Sequence, residues 1–203
     1  MKRSRNTLGP LLGYHGCDRK LGEAVLSGKK TLQPSENDYD WLGPGIYFWI
    51  DSPDRGLDWA RERATRRKGQ PAPKIRDPYV IGAFIHPGLC LNLTDYGVTS
   101  ELLDAYSSLT RMLRQSQKEL PTNTLPQSGI YMKRNLDCAV IKTVHELRRA
   151  DERQEPYQTV YGVFEEGEAL YPNSSFKAKT HVQIAVIDAP TCILGYFRVN
   201  ALR

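Results

Sequence analysis

Apolar residues along the first third of the chain follow strand and helix patterns in alternation. Leu11–Gly16 and Gly45–Ile50 are short apolar runs with β-branched and aromatic residues, which is typical of strands. Lys20–Ser27 has apolar positions at helical spacing and predicts a short helix. Pro53–Arg67 predicts a second helix, because a capping residue precedes a proline at the first helical position.

The rest of the chain predicts further strands around a long helix. Tyr79–Leu93 reads as two strand segments hinged at a His-Pro-Gly turn, and Glu101–Leu120 predicts a helix. We expect an apolar stripe of this helix to lie in the core: Leu102, Leu103, Tyr106, Leu109, Met112 and Leu113. Three strand-like runs follow: Thr159–Phe164, His181–Ile187 and Cys192–Val199. The order predicts an α+β fold in one domain over residues 1–203, with residues 1–10 as a flexible basic N-terminal segment.

Composition narrows the class of protein. The chain has 203 residues, of which 40% are hydrophobic and 25% charged, enough for one core. It contains no apolar run of membrane-spanning length and no secretion signal, so we expect a cytoplasmic protein without a membrane partner. The four cysteines and four histidines lack metal-ligand or disulfide spacing, so no metal cofactor is expected.

Positive charge is concentrated in one segment. The formal net charge is +5, and Arg61–Arg76 contains seven basic residues against one acidic residue. Such a segment attracts phosphate-bearing partners, although a solvated helix face followed by a loop has the same composition. The candidate nucleic-acid-binding residues are Arg61, Arg63, Arg66, Arg67 and Lys68.

Four motifs occur in a fixed order: "YHGC" at 14–17, "GPGIYF" at 43–48, "GLDWA" at 56–60 and "HVQIAVIDAPTCILGYF" at 181–197. In this order they resemble the ADP-ribosyltransferase superfamily, in its histidine–tyrosine–glutamate branch of poly(ADP-ribose) polymerases and diphtheria-type toxins. The resemblance implies a split β-sandwich of two mainly antiparallel sheets flanked by helices. It also implies a bacterial toxin-type member that uses NAD as ADP-ribose donor, without a metal.

The resemblance assigns roles to individual residues. His15 matches the histidine that hydrogen-bonds a ribose hydroxyl of NAD, and Gly16 matches the glycine whose backbone binds the nicotinamide carboxamide. Tyr47 matches the tyrosine that stacks on the nicotinamide ring. A stacked aromatic pair contributes about 0.5–1.5 kcal/mol, which suits a flat ring held between two side chains. The remaining implied NAD contacts are Cys17, where the family commonly has Ser or Thr, and the pair Gly56 and Trp59.

The sequence departs from the family at the catalytic glutamate. Gln183 occupies that position in the late strand, and a glutamine hydrogen-bonds a ribose hydroxyl but supplies no negative charge. Glycosidic bond cleavage creates an oxocarbenium-like centre, which a nearby carboxylate stabilises. We therefore select Glu166, in "VFEEGEALYP", as the candidate displaced acid, and the predicted catalytic residues are Glu166, Gln183, His15 and Tyr47. Asp137 and His145 are weaker candidates for the same cleft.

The leading hypothesis is an NAD-dependent mono-ADP-ribosyltransferase acting as an intracellular toxin or phage-defence effector. The basic segment favours RNA or single-stranded DNA as acceptor, with a protein acceptor as the alternative; an antitoxin partner is also considered. Because of Gln183, an inactive module that binds NAD or ADP-ribose is a second hypothesis. A third is a cysteine hydrolase built on Cys17, which requires a thiolate beside a general base.

Overall fold

The backbone pattern produces nine strands and five α-helices among residues 8–65, 74–124 and 133–200, which the computed structural model describes. The strands are β1 (Leu11–Asp18), β2 (Ile46–Ile50), β3 (Pro78–Ile85), β4 (Cys90–Asn92), β5 (Asn123–Thr124), β6 (Lys133–Arg134), β7 (Thr159–Phe164), β8 (His181–Val186) and β9 (Ile193–Arg198). The helices are α1 (Arg19–Leu26), α2 (Pro53–Ala64), α3 (Thr99–Gln115), α4 (Asn135–Ala150) and α5 (Ala189–Cys192).

The long strands form one seven-stranded sheet in the order β4-β7-β8-β2-β1-β3-β9. Its neighbouring strands are antiparallel except for the parallel pair β4 and β7, and β5 and β6 form a separate two-stranded ribbon. The predicted α+β class is therefore confirmed. The expected pair of large sheets is not seen as two hydrogen-bonded sheets, because β1 pairs with β2 on one side and with β3 on the other.

Two apolar cores cover opposite faces of the sheet. Residues directly opposite each other on antiparallel strands project to the same face, so the register assigns each side chain to one face. Phe48 and Ile184 are paired and lie in one core with Val25 of α1. The other core contains Ala185 of β8 and Val144 of α4. We call these two sides the α1 face and the α2 face, since α2 packs on the second one.

The helices agree with most of the sequence predictions. Pro53 begins α2 as predicted, and the predicted extension of this helix to Arg67 lies partly outside the described residues. The helix α4 was not predicted, because a segment rich in Val, Ile and Thr has no strong helical propensity. It forms because its buried residues Cys138, Ile141 and Val144 lie on one side, towards the core.

The stripe predicted for α3 is only partly in the core. Ala105 and Leu109 are buried against the rest of the fold, whereas Leu103, Tyr106 and Met112 are 60%, 40% and 43% exposed. The prediction that all six apolar residues belong to the core was therefore wrong. The stripe is wider than the contact that α3 makes with α4, so its margins face solvent.

The N-terminal residues and the lengths of the helices remain to be described. Gly9 and Pro10 are exposed ahead of β1, and residues 1–7 of the predicted N-terminal segment lie outside the described residues. Within the three described ranges, no helix has the length and apolar character needed to span a membrane.

Candidate functional site

The sheet opens beside the histidine–glycine pair of β1. On one side, β1 pairs with β3 along eight residues, from Leu11 to Asp18. On the other side, β1 pairs with β2 at only two positions, which are Gly13 with Ile50 and Tyr14 with Trp49. A continued register would place Gly16 opposite Tyr47, but the pairing has ended there. We call the unpaired edges of β1 and β2 at His15, Gly16 and Tyr47 the β1–β2 opening.

His15 bridges this opening through its ring. Its Nδ1 lies 2.8 Å from the backbone oxygen of Tyr47, and its ring contacts Phe48 at a centroid distance of 5.7 Å. Burial lowers the pKa of His15, and the hydrogen bond to the Tyr47 carbonyl partly offsets that effect. Because a carbonyl only accepts, the neutral ring donates through Nδ1 and keeps Nε2 as an acceptor. His15 and Tyr47 are thus brought together, with the tyrosine contributing its backbone.

Gly16 presents its peptide groups to the opening. The oxygen of Leu12 accepts a hydrogen bond from the Asp51 N–H across this edge, and strand alternation turns the Gly16 N–H and C=O the same way. A Cβ added to Gly16 would lie 2.1 Å from the backbone oxygen of Gly56 and 3.3 Å from the Trp59 ring. Glycine is therefore required here by the close approach of α2, a reason that the sequence prediction did not include.

The Tyr47 side chain is fixed by two hydrogen bonds of its hydroxyl, one donated and one accepted. The hydroxyl donates to the Gly43 oxygen at 2.7 Å and accepts from the Leu42 N–H at 2.9 Å. Burial raises the pKa of Tyr47 well above its usual value. The phenol is therefore a neutral anchor, and the part of Tyr47 that remains for recognition is its ring.

Trp59 and a second tryptophan, Trp49, adjoin the opening from α2 and β2. Their ring centroids are 5.6 Å apart, and a Cβ added to Gly56 would lie 3.5 Å from Trp49. Trp59 is half-buried, whereas Trp49 is 4% exposed, and its buried Nε1 has no hydrogen bond to any residue that the structure describes. Sequence reasoning did not assign Trp49 to the site, although it lies two positions after Tyr47 and so projects to the same face of β2.

Gln183 lies on the α2 face, in the row of residues next to Tyr47. It pairs with Trp49 on one side and with Gly162 on the other. The residue is 8% exposed, and its amide makes no hydrogen bond to another residue that the structure describes. A side-chain amide without a partner in the protein can hydrogen-bond to water or to a ligand.

Glu166 lies beyond the end of β7, whereas Gln183 lies within β8. The register pairs Phe164, the last residue of β7, with His181, and Glu166 follows two residues after that strand ends. Its carboxylate lies 2.9 Å from Arg55 of α2, and both side chains are 10% exposed. It is also 3.8 Å from Nδ1 of His181. The structure therefore joins Glu166 to α2 rather than to the immediate surroundings of Gln183.

His181 is a functional candidate that the sequence analysis left unassigned in the transferase site. Its ring lies 5.7 Å from Phe164 and 6.2 Å from Trp41, and its Nδ1 lies 2.6 Å from the Lys179 oxygen. Burial lowers the pKa of His181, and its buried Nε2 has no hydrogen-bond partner within the described ranges. The signal in the sequence was its position two residues before Gln183, since alternation places both on one face.

The remaining candidates are not gathered at the opening. Cys17 is buried, and this burial raises the pKa of its thiol to about 12, so it carries no thiolate for a hydrolase at neutral pH. His145 lies in the second core against the Tyr157 ring, at 6.3 Å. Asp137 accepts a hydrogen bond from the Asn123 amide at 2.9 Å.

The basic segment is described in part. Arg61 and Arg63 are exposed on α2, and the Arg63 guanidinium lies 5.3 Å from the centre of the Trp59 ring. This contact links the basic surface of α2 to an aromatic side chain of the opening. Arg66, Arg67 and Lys68 lie outside the described residues.

Comparison with known proteins finds similarity over one short segment of the chain. Neither a protein-family model nor a solved structure matches the chain. A segment of 36 residues is 53% identical to the uncharacterized protein MJ0359 of Methanocaldococcus jannaschii. That segment is 18% of this chain and 16% of the archaeal protein, so the chain matches only a small part of its relative.

Proposed function

We propose that the protein is an NAD-dependent mono-ADP-ribosyltransferase with an ADP-ribosyltransferase-type fold, opened between β1 and β2. The observation that carries the proposal is the end of β1–β2 pairing at His15 and Gly16, opposite an anchored Tyr47. A planar amide-bearing ring fits this arrangement because the opening offers a peptide N–H and C=O beside aromatic side chains.

The residues of the opening would bind the nicotinamide end of NAD. The Gly16 peptide would bind the carboxamide, and the Tyr47 and Trp59 rings would contact the nicotinamide ring. His15 would accept a hydrogen bond from a ribose hydroxyl through Nε2, because its Nδ1 is occupied by the Tyr47 carbonyl. Gln183 would bind a second hydroxyl through its side-chain amide.

The reaction breaks the bond between the ribose C1′ and the nicotinamide nitrogen. NAD supplies this bond, nicotinamide leaves with the bonding electrons, and an acceptor oxygen or nitrogen forms the new bond to C1′ while releasing a proton. The chain holds the ring and ribose in place, which lowers the entropic cost of the step. Glu166 would supply negative charge and receive the proton once its contact with Arg55 is exchanged for one with the acceptor.

We propose nucleic acid, either RNA or single-stranded DNA, as the acceptor, and an intracellular toxin or phage-defence role that an antitoxin would restrain. Support comes from the exposed Arg61 and Arg63 on the helix that also carries Trp59. Cations beside an aromatic ring suit a phosphate backbone with exposed bases. A protein acceptor is the alternative.

A second candidate function is a binding module that recognises NAD or ADP-ribose without turnover. It is favoured by the neutral amide at position 183 and by the ion pair that occupies Glu166. In this case the opening would retain affinity for NAD, and no nicotinamide would be released.

One experiment separates these functions. NAD labelled in its adenylate part is incubated with the protein and with RNA, single-stranded DNA and protein pools, and nicotinamide release is measured beside label transfer. The transferase predicts label in one pool, abolished in His15→Ala and reduced in Glu166→Ala and Gln183→Ala. Binding of NAD without release would identify the module. Absence of NAD binding would contradict both proposals.

A further inference from the structure

The two edge strands of the seven-stranded sheet differ in length. Strand β4 has three residues, whereas β9 has six, Ile193–Arg198. Within the described residues, β9 pairs with β3 and with no other strand. Its sequence, ILGYFR, contains no lysine or proline, the residues that most often protect an edge strand from further pairing. The edge of β9 is therefore open to another strand.

The register shows which peptide groups of β9 point away from the sheet. The Leu12 oxygen accepts from the Asp51 N–H on the β2 side of β1, so Leu12 and Phe84 form a pair that exchanges no hydrogen bonds. Phe84 therefore directs its N–H and C=O to β9, where it is paired with Gly195. Because this direction alternates along an antiparallel strand, Tyr196 directs its N–H and C=O to the open edge.

An aromatic surface borders this edge on the α2 face of the sheet. Phe84 is 50% exposed, and its ring lies 4.9 Å from that of Phe197. The Phe197 ring in turn covers a glycine of β3, since a Cβ added to Gly82 would lie 2.2 Å from it. At Gly195, by contrast, an added Cβ would meet no described atom within 4 Å. The edge thus alternates between a ring and a position without a side chain.

We propose that two copies of the chain pair through β9, antiparallel, about a two-fold axis at Tyr196. We call this assembly the β9 dimer. The strand is self-complementary in this register, because each Tyr196 donates to and accepts from the other. Gly195 of one copy then faces Phe197 of the other on the α2 face. This repeats between copies the combination of ring and glycine that Phe197 makes with Gly82 within one chain.

Charge and size are compatible with a second copy as the occupant. Arg198 is the one charged residue of β9, and the two Arg198 residues would lie about 14 Å apart, four residues along the paired strands. Each is already paired with Glu23 of its own α1. One short strand and the border of an aromatic surface cover less than the roughly 800 Å² per partner of a standard interface. We therefore expect a weak dimer, with a dissociation constant of about 10 μM or more.

The β9 dimer goes beyond the proposed function and does not depend on it. In the sheet, β1 and β3 lie between β2 and β9, so pairing through β9 leaves the β1–β2 opening accessible in both copies. The tests of the dimer use no NAD, so that its failure and the failure of the proposed function are distinguishable.

Sedimentation equilibrium of the full chain from about 1 to 500 μM tests for association in the expected range. The average mass should rise from that of one chain towards that of two. Gly195→Lys places a charge against Phe197 of the other copy and should weaken association at least about tenfold. Its side chain enters open space within one chain, so the circular dichroism spectrum should be retained. Ser107→Lys, which adds the same charge on the exposed side of α3, is the control and should associate like the wild type.

A measurement on the wild type locates the contact without any variant. Gly195 of one copy and Phe197 of the other form a pair without hydrogen bonds, whose Cα atoms are about 4.5 Å apart. A mixture of ¹³C-labelled and unlabelled chains should therefore give an NOE between the Hα protons of these residues in different copies. The Tyr196 amide should also exchange with solvent more slowly as the protein concentration rises.

Three outcomes overturn the β9 dimer. The first is a chain that stays monomeric at about 500 μM, far above the expected dissociation constant. The second is association that Gly195→Lys weakens no more than Ser107→Lys does. The third is a dimer without the NOE between Gly195 and Phe197, because its contact then lies on another surface.

Discussion

The two edges of β1 differ in how far they pair with the neighbouring strands. Towards β3, all eight residues are paired, and Ile81 and Ile85 of β3 are fully buried. Towards β2, pairing ends after Tyr14, and the peptide of Gly16 faces an opening. The hydrophobic pattern of a strand determines which face of the sheet each side chain lies on. Where its backbone pairing ends is determined instead by the elements that pack beside the strand.

The open edge is maintained by contacts of α2 and of His15. The backbone oxygen of Gly56 approaches the α-carbon of Gly16 so closely that no side chain fits. On the other side, the His15 ring donates a hydrogen bond to the Tyr47 carbonyl. These contacts replace the missing strand pairing, so that the opening is stable and its polar groups remain oriented.

The largest expected effect comes from filling the contact between β1 and α2. Gly16→Ala places a Cβ 2.1 Å from the Gly56 oxygen, and backbone atoms on both sides must move. We expect a loss of about 3 kcal/mol in the free energy of unfolding, measured by urea denaturation. Gly195→Ala in β9 is the control, because an added Cβ there meets nothing within 4 Å. Equal stability of the two variants would show that α2 does not define the opening.

The next effect concerns the ion pair that attaches α2 to the end of β7. Arg55→Met leaves the Glu166 carboxylate, which is 10% exposed, without its cation and should cost about 2 kcal/mol. Adding Glu166→Gln should recover part of this loss in a double-mutant cycle. Arg153→Met removes the surface pair with Asp151, where Arg153 is 89% exposed, and should change stability by less than about 0.5 kcal/mol. Additive effects of Arg55→Met and Glu166→Gln would contradict the coupling.

A pH series separates the opening from the second core. Burial lowers the pKa of His145 to about 4, and it lowers the pKa of His15 as well. Below pH 6.5 these histidines bind protons in the unfolded chain but not in the folded chain, so the free energy of unfolding falls as the pH falls. For His145 the loss should reach about 2 kcal/mol at pH 5.

Thermal unfolding between pH 8 and pH 5 measures this dependence. His145→Gln should flatten it strongly and His15→Gln should also flatten it, whereas His86→Gln, at an exposed histidine, should leave it unchanged. A wild-type slope retained in both His145→Gln and His15→Gln would contradict the burial of these rings as neutral groups.

The smallest effect concerns the anchor of the Tyr47 ring. Tyr47→Phe leaves the Leu42 N–H and the Gly43 carbonyl without their partner, and it should cost about 1 kcal/mol. Tyr96→Phe, at a tyrosine that is 91% exposed, should have no measurable effect on unfolding. An unchanged melting temperature for Tyr47→Phe would show that the ring is not held through its hydroxyl.

Several features were predictable from the sequence because they depend on local patterns. Strand-like runs of apolar residues identified β2 and β8, and the proline at the start of α2 marked its first turn. The family resemblance assigned His15 and Tyr47 to the same NAD site, which stays a prediction. That their link is a ring-to-carbonyl hydrogen bond required the structure, because backbone groups carry no signature in the sequence.

Other features depend on packing between distant segments. The pairing of Glu166 with Arg55 joins residues that are 111 positions apart, and nothing local to either one indicates it. The exposure of Leu103 on α3 likewise depends on how wide a contact α4 makes. Helix α4 was missed because its β-branched residues favour strands, and tertiary burial overrides that preference.

The most direct test of the central claim observes the Gly16 amide. His15 is the only histidine followed by glycine, so labelling histidine carbonyls with ¹³C and glycine nitrogens with ¹⁵N selects one Gly16 signal in a carbonyl-filtered NMR spectrum. If the β1–β2 opening binds the nicotinamide end of NAD, this signal should shift saturably with NAD and with nicotinamide, and not with ADP-ribose to the same position. A Gly16 signal that stays unchanged at saturating NAD would contradict the account.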